Sequence, residues 1–216
     1  MNVKLNTSRR GFTLIEFICV VAVLAIVAAL LLPMLAESKA RSSRISCVGR
    51  LKSVAFSFHV WAHAYTNAFP MAISTNFGGT LEHTATGEVW PHFQVMSNEL
   101  SAPVMLFCPS DRNRTPPRNF GPNLSNTNIS YFVGLDANAT MPQMFLAGDR
   151  NLVGGTLLPN RILLLTTNDV VSWSKDLHNQ QGNVALADGS VQGFNSVRLG
   201  AALMNTGTVT NRLAIP

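Results

Sequence analysis

The sequence predicts an α+β protein: one long N-terminal α-helix, half transmembrane in character and half amphipathic, followed by a small C-terminal antiparallel β-sheet. Three observations carry that expectation. Residues 17–36, between Glu16 and Glu37, form an uncharged run of 20, longer than the roughly 18 that mark a membrane-helix candidate. Ile45, Val48, Leu51, Val54, Ala55 and Phe58 then recur at helical spacing and make one apolar face. After Asn67, Gly, Pro, Asn, Ser and Thr become frequent, and short segments rich in β-branched and aromatic residues follow.

Charge sharpens the division. Of 216 residues, 16 are basic and 11 acidic, a charged share of 12%, about half the usual ~25%. With 47% hydrophobic residues, the chain is not a charge-rich disordered polymer. The net charge of +5 sits at the flanks of the apolar run: Lys4, Arg9 and Arg10 precede it, and Lys39, Arg41, Arg44, Arg50 and Lys52 follow. From Ser53 onward there are 8 basic and 9 acidic residues. The body therefore offers no basic patch, and no nucleic-acid partner is expected. Basic residues beside an apolar run are the usual flanks of a membrane segment.

Taken in order, the elements are these. Residues 12–35 would span about 36 Å as a helix at ~1.5 Å per residue, with Pro33 loosening the outer end. Cys19, inside this run, reads as a small hydrophobe. The helix is expected to continue into the sixties. Residues 68–87 read as loop, 91–100 as a short helix and 112–128 as a long polar loop. Strands are expected over 129–133, 144–147, 161–167, 183–187 and 190–194, and a closing helix over 197–204. Asp188-Gly189 signals a two-residue hairpin loop between the last two strands. A lone Glu16 in an apolar segment costs a few kcal/mol in hydrocarbon and marks function or a partner.

The string Arg9-Arg10-Gly11-Phe12-Thr13-Leu14-Ile15-Glu16 resembles the leader and processing site of type IV pilins and type II secretion pseudopilins. The resemblance implies cleavage after Gly11 by a prepilin peptidase and N-methylation of the new terminus, Phe12. It makes Glu16 the fifth mature residue, whose carboxylate meets the amine of a neighbouring subunit during assembly and is thereby paired. The implied organisation is a leader over 1–11, a transmembrane and polymerisation helix over 12–35, an amphipathic stem over 36–66 and a β-rich head over 67–216. The implied partners are the peptidase, other pilin or pseudopilin subunits, an inner-membrane assembly platform and the membrane itself. The subunit would wait in the inner membrane with a periplasmic head, then enter a periplasmic or surface filament.

Prepilin export would also place Cys47 and Cys108 in an oxidising compartment, where they form either a disulfide closing a loop of about 60 residues or two separate thiols. His178, nine intervening residues and Asp188-Gly189 resemble the H-X9-DG signature of prepilin-type processing-associated proteins. Ser46-Cys47-Val48-Gly49-Arg50-Leu51-Lys52 and Cys108-Pro109-Ser110-Asp111 support that resemblance. His178 and Asp188 are expected either to lock the last hairpin as an imidazole–carboxylate pair or to help hold a cation. Calcium is the candidate, because some pseudopilins carry it near the C-terminus; Asp188 would be its ligand, although calcium wants about six to eight oxygens. His59 and His63 have zinc-like spacing but lack the glutamate of a metalloprotease helix and read as stem residues. No catalytic constellation is visible, and the protein is expected not to be an enzyme. A structural filament subunit is the first reading. The alternative is a membrane-anchored or filament-tip adhesin whose head binds polysaccharide or secreted cargo.

Overall fold

The structure, a computed structural model, describes residues 11–216; the leader residues 1–10, Arg9 and Arg10 among them, lie outside the described residues. The chain divides into two compact units, one ending at Ser42 and the other running Ser43–Pro216. Helix α1 (Leu14–His63) is one continuous helix of 50 residues that begins in the first unit and ends in the second.

The first unit is the apolar half of α1. It is long and apolar enough to cross a membrane, and none of its most apolar stretch is buried. Pro33 lies within the helix without ending it. A proline removes one N–H and crowds the preceding turn, but Leu30, Leu31, Leu32, Met34 and Leu35 around it are strong helix formers.

The second unit is the head, and the rest of α1 is part of its core. Cys47, Leu51, Val54, Ala55, Phe58, Trp61 and Ala62 are buried on one face of the helix. Ile45, expected on that face, is 67% exposed, and Cys47 takes the corresponding place in the packing. The single helix expected over 91–100 is two short ones, α2 (Trp90–Gln94) and α3 (Ser97–Leu100). Met96 between them leaves helical geometry at φ −100°, ψ 24°, which lets Phe93, Met96 and Leu100 all reach the core.

The sheet is formed by β1 (Tyr131–Gly134), β2 (Phe145–Asp149), β4 (Thr156–Leu157), β5 (Ile162–Thr166), β7 (Gly182–Leu186), β8 (Val191–Phe194) and β9 (Thr210–Ala214). These seven strands run in the spatial order β4-β5-β9-β1-β2-β7-β8, and every neighbouring pair is antiparallel. A two-stranded ribbon pairs β3 (Leu152–Val153) with β6 (Ser172–Trp173). Helix α4 (Ser196–Met204) follows β8, its first turn capped by the Asn195 side chain accepting from Arg198 N–H.

The two sheet faces feed two cores. Tyr131, Val133, Ala147, Ala185, Ala187 and Ala214 join the α1 residues in one. Phe132, Phe145, Val184, Leu186 and Phe194 join Leu199 and Leu203 of α4 in the other. Successive residues of β1 and β7 alternate between the two, as the period of a strand requires. The α1 side is rich in alanine, so the helix approaches the strands closely. Gly148 serves the other face: a Cβ there would sit 2.6 Å from the Phe132 ring.

Candidate functional site

At the start of α1, Thr13 and Glu16 form a reciprocal cap. Thr13 N–H donates to Glu16 Oε2 at 2.8 Å, and Thr13 Oγ1 donates to the same oxygen at 2.7 Å. Glu16 N–H in turn reaches Thr13 Oγ1 at 3.4 Å. This is a capping box, which satisfies two of the N–H groups that a helix start leaves unpaired. The sequence carries its signature, Thr-x-x-Glu, but an apolar run hides it because Glu16 then reads only as an isolated charge. Gly11 and Phe12 precede the cap in exposed, non-helical chain, the conformation a peptidase needs for access.

The head holds a second constellation. Cys47 of α1 and Cys108 form a disulfide, with Cα atoms 5.1 Å apart, and both are fully buried. His178 lies beside it, Nε2 3.4 Å from Cys108 Sγ and 3.4 Å from Asp149 Oδ2. Asp149 Oδ2 also accepts from Asn183 N–H at 2.7 Å and Asn183 Nδ2 at 2.8 Å, while Asp149 Oδ1 is buried without a partner. Asp111, three residues after Cys108, is gripped on both oxygens by Arg150 at 2.7 and 2.8 Å. Arg44 donates to Gln181 Oε1. Asn151 Nδ2 is shared among the carbonyls of Ser174, Leu177 and Gln181 and holds the loop that carries His178.

Burial sets the charge states. It pushes His178 down to about 4, and the Arg44 guanidinium adds to the effect. It pushes Asp149 up to about 7, against the Asn183 hydrogen bonds and the Arg44 charge. At neutral pH the contact thus joins an uncharged imidazole to a carboxyl near half-protonation rather than making an ion pair. For Asp111 burial works upward as well, but the Arg150 hydrogen bonds and charge outweigh it and hold the carboxyl below its usual range.

The structure pairs His178 with Asp149, where an Asp188 partner was expected. β7 is the reason: it separates His178 from Asp188 by its full length, and an extended strand carries its two ends apart. Asp188 instead accepts from Ser190 N–H at 2.8 Å and is exposed. The loop has three residues, 187–189, rather than two: Leu186 and Ser190 pair across it, and Gly189 N–H returns to Leu186 O. Gly189 has φ +83°, the left-handed position that closes a three-residue hairpin. A Cβ at Gly189 would lie 3.2 Å from the His59 ring, so the turn sits on α1.

The motif therefore marks both ends of β7, one against Cys47–Cys108 and the other against His59. Cys47 and His59 are 12 residues apart, about 18 Å along a helix at ~1.5 Å per residue. His178, Asn179 and Gln180 have φ of +49°, +53° and +61°. Three consecutive non-glycine residues in the left-handed region store strain that the Asn151 and Gln181 contacts hold in place.

As a calcium site the Asp188 turn fits poorly. It supplies one carboxylate, with one oxygen engaged by Ser190 N–H, where calcium takes about six to eight oxygens. The other histidines are separate: His59 meets Phe69 edge-on at 5.4 Å, while His92 is buried with Nδ1 2.7 Å from Thr80 Oγ1. Residues that sequence reasoning missed are Asp149, Arg150, Asn151 and Asn183. They lie in strands or turns with no motif around them, and only the fold brings them to the disulfide.

Residues 6–32 match the family model for the prokaryotic N-terminal methylation motif. Over these residues the chain is similar to type IV pilin-like proteins. No curated protein and no solved structure matches it. The match ends before the head, so the H-X9-DG resemblance remains one of motif alone. The motif is that of prepilin peptidase substrates and implies assembly with other pilin subunits; here it leads into the apolar half of α1.

Proposed function

We propose that the protein is a structural subunit of a type II secretion or type IV pilus-like filament. In this reading, cleavage after Gly11 exposes Phe12 for methylation. The apolar half of α1 then holds the subunit in the inner membrane, with the head in the periplasm, until an assembly platform extracts it. Repeated head-to-tail contacts between such helices do not close and so extend into a fibre.

The observation that carries this reading is the methylation motif joined to an apolar helix half with none of its most apolar stretch buried. Glu16 has a defined part. In the single chain its carboxylate is engaged by Thr13; on docking, a neighbour's N-terminal amine supplies a charged partner in its place. The disulfide and the two-ended anchoring of β7 make the head rigid enough to be carried through extraction.

Glu16→Ala is the test. Leader removal should persist, because the scissile bond lies five residues before the substitution, while filaments should be absent in electron micrographs of sheared cells. Normal filaments from that variant would refute the assigned role.

A further inference from the structure

We propose that the buried disulfide covers a latent metal site: in the reduced chain, the thiolates of Cys47 and Cys108 and the His178 imidazole bind one divalent cation of the zinc class, with Asp149 as the fourth donor. The three ligand atoms of Cys47, Cys108 and His178 lie within 4.8 Å of one another. In a tetrahedral zinc site, metal–sulfur bonds of ~2.3 Å and metal–nitrogen bonds of ~2.0–2.1 Å leave adjacent donors about 3.5 Å apart. His178 Nε2 is 3.4 Å from Cys108 Sγ and 3.4 Å from Asp149 Oδ2, so two edges of that tetrahedron are already present. Only the sulfurs must separate.

The surroundings suit a metal better than a plain crosslink. A structural disulfide is served by apolar neighbours, yet here an imidazole is buried against it and a buried carboxyl stands behind that imidazole, each at a desolvation cost. Asp149 Oδ1 is buried and unpartnered, and Asn183 orients the carboxyl through two hydrogen bonds to Oδ2, as outer residues orient metal ligands. The four donors come from α1, the segment after α3, β2 and the loop before β7. A metal there would draw the head together around the same point as the disulfide.

The two states exclude each other. A phosphine reductant gives two electrons to the S–S bond and leaves as phosphine oxide, with water supplying the oxygen and the two thiol protons. Binding a divalent cation then releases both thiol protons. The metal enters as the reduced chain folds, since the closed head buries both sulfurs.

The test uses the full chain in detergent micelles, reduced with a phosphine and refolded with Co²⁺ as a spectroscopic probe. One equivalent should bind, with thiolate-to-cobalt charge transfer and the intense visible bands of tetrahedral Co²⁺, and Zn²⁺ should displace it. The oxidised chain should show no such bands. Cys47→Ser and Cys108→Ser should each abolish them, His178→Gln should weaken binding at least tenfold, and Asp188→Asn should leave it unchanged. The proposal is overturned if the reduced chain, folded or not by circular dichroism, shows no thiolate charge transfer, or if His178→Gln binds as tightly as the parent.

Discussion

The two parts of α1 are one helix with opposite relations to their surroundings. From Cys47 to Ala62, eight residues are buried in the head, all but Ser57 apolar. From Leu14 to Leu35, fifteen large apolar side chains are 45–77% exposed. Burying such a side chain is worth about 1.5–3 kcal/mol, so the uncovered half leaves tens of kcal/mol to a bilayer or to neighbouring subunits. The lesson is a separation of tasks. The head is stabilised by its own contacts, and the apolar half is stabilised only by what it joins.

That separation can be broken on either side. Phe58→Ala removes a fully buried ring and should lower head stability by about 3–5 kcal/mol, read as a shift in the denaturation midpoint. Leu24→Ala, in the apolar half, should leave the same midpoint unchanged. A comparable loss from Leu24→Ala would end the division. Next in size, Cys47→Ser should cost about 2–4 kcal/mol under oxidising conditions and nothing beyond that under reducing ones.

Acid should act on the head through its buried histidines. Unfolded His92 protonates near 6.5, whereas burial holds it to about 3 in the folded head. Between those values the unfolded state carries the extra proton, so stability falls as pH drops, by at most about 1.4 kcal/mol per unit. His178 acts in the same direction between about 4 and 6.5. Asp149, whose folded value of about 7 exceeds its ordinary 3.8, acts in the opposite direction and offsets it. His92→Asn should therefore flatten the profile below pH 6.5; an unchanged slope in urea titrations would assign acid sensitivity elsewhere. The smallest effect is expected at the helix start. Thr13→Val removes the hydroxyl of the cap and should reduce helicity of the first turn by about 1 kcal/mol without moving the head's midpoint.

The same contrast explains what could be read from sequence. The apolar half is legible because composition alone defines it. β7, β8 and α4 were legible because alternation, Asp188-Gly189 and a short periodic run mark them locally. β9 was not: Thr210-Asn211-Arg212 looks like loop, and it becomes a strand because β1 and β5 offer ladders on both sides. β3, β4 and β6 have two residues each, too few for any period to show. The motif points His178 at Asp188, but its partner in the fold is Asp149, which is 29 residues away in sequence and reaches it only through the β2–β7 ladder.

The central claim is that this is a prepilin-type subunit whose apolar helix is exposed for assembly, and it turns on the N-terminus of the exported protein. Mass spectrometry of that terminal peptide, from cells with an active prepilin peptidase, should find a chain beginning at Phe12 with a methylated amine. A terminus still carrying the leader, or one cut anywhere other than after Gly11, would contradict the account.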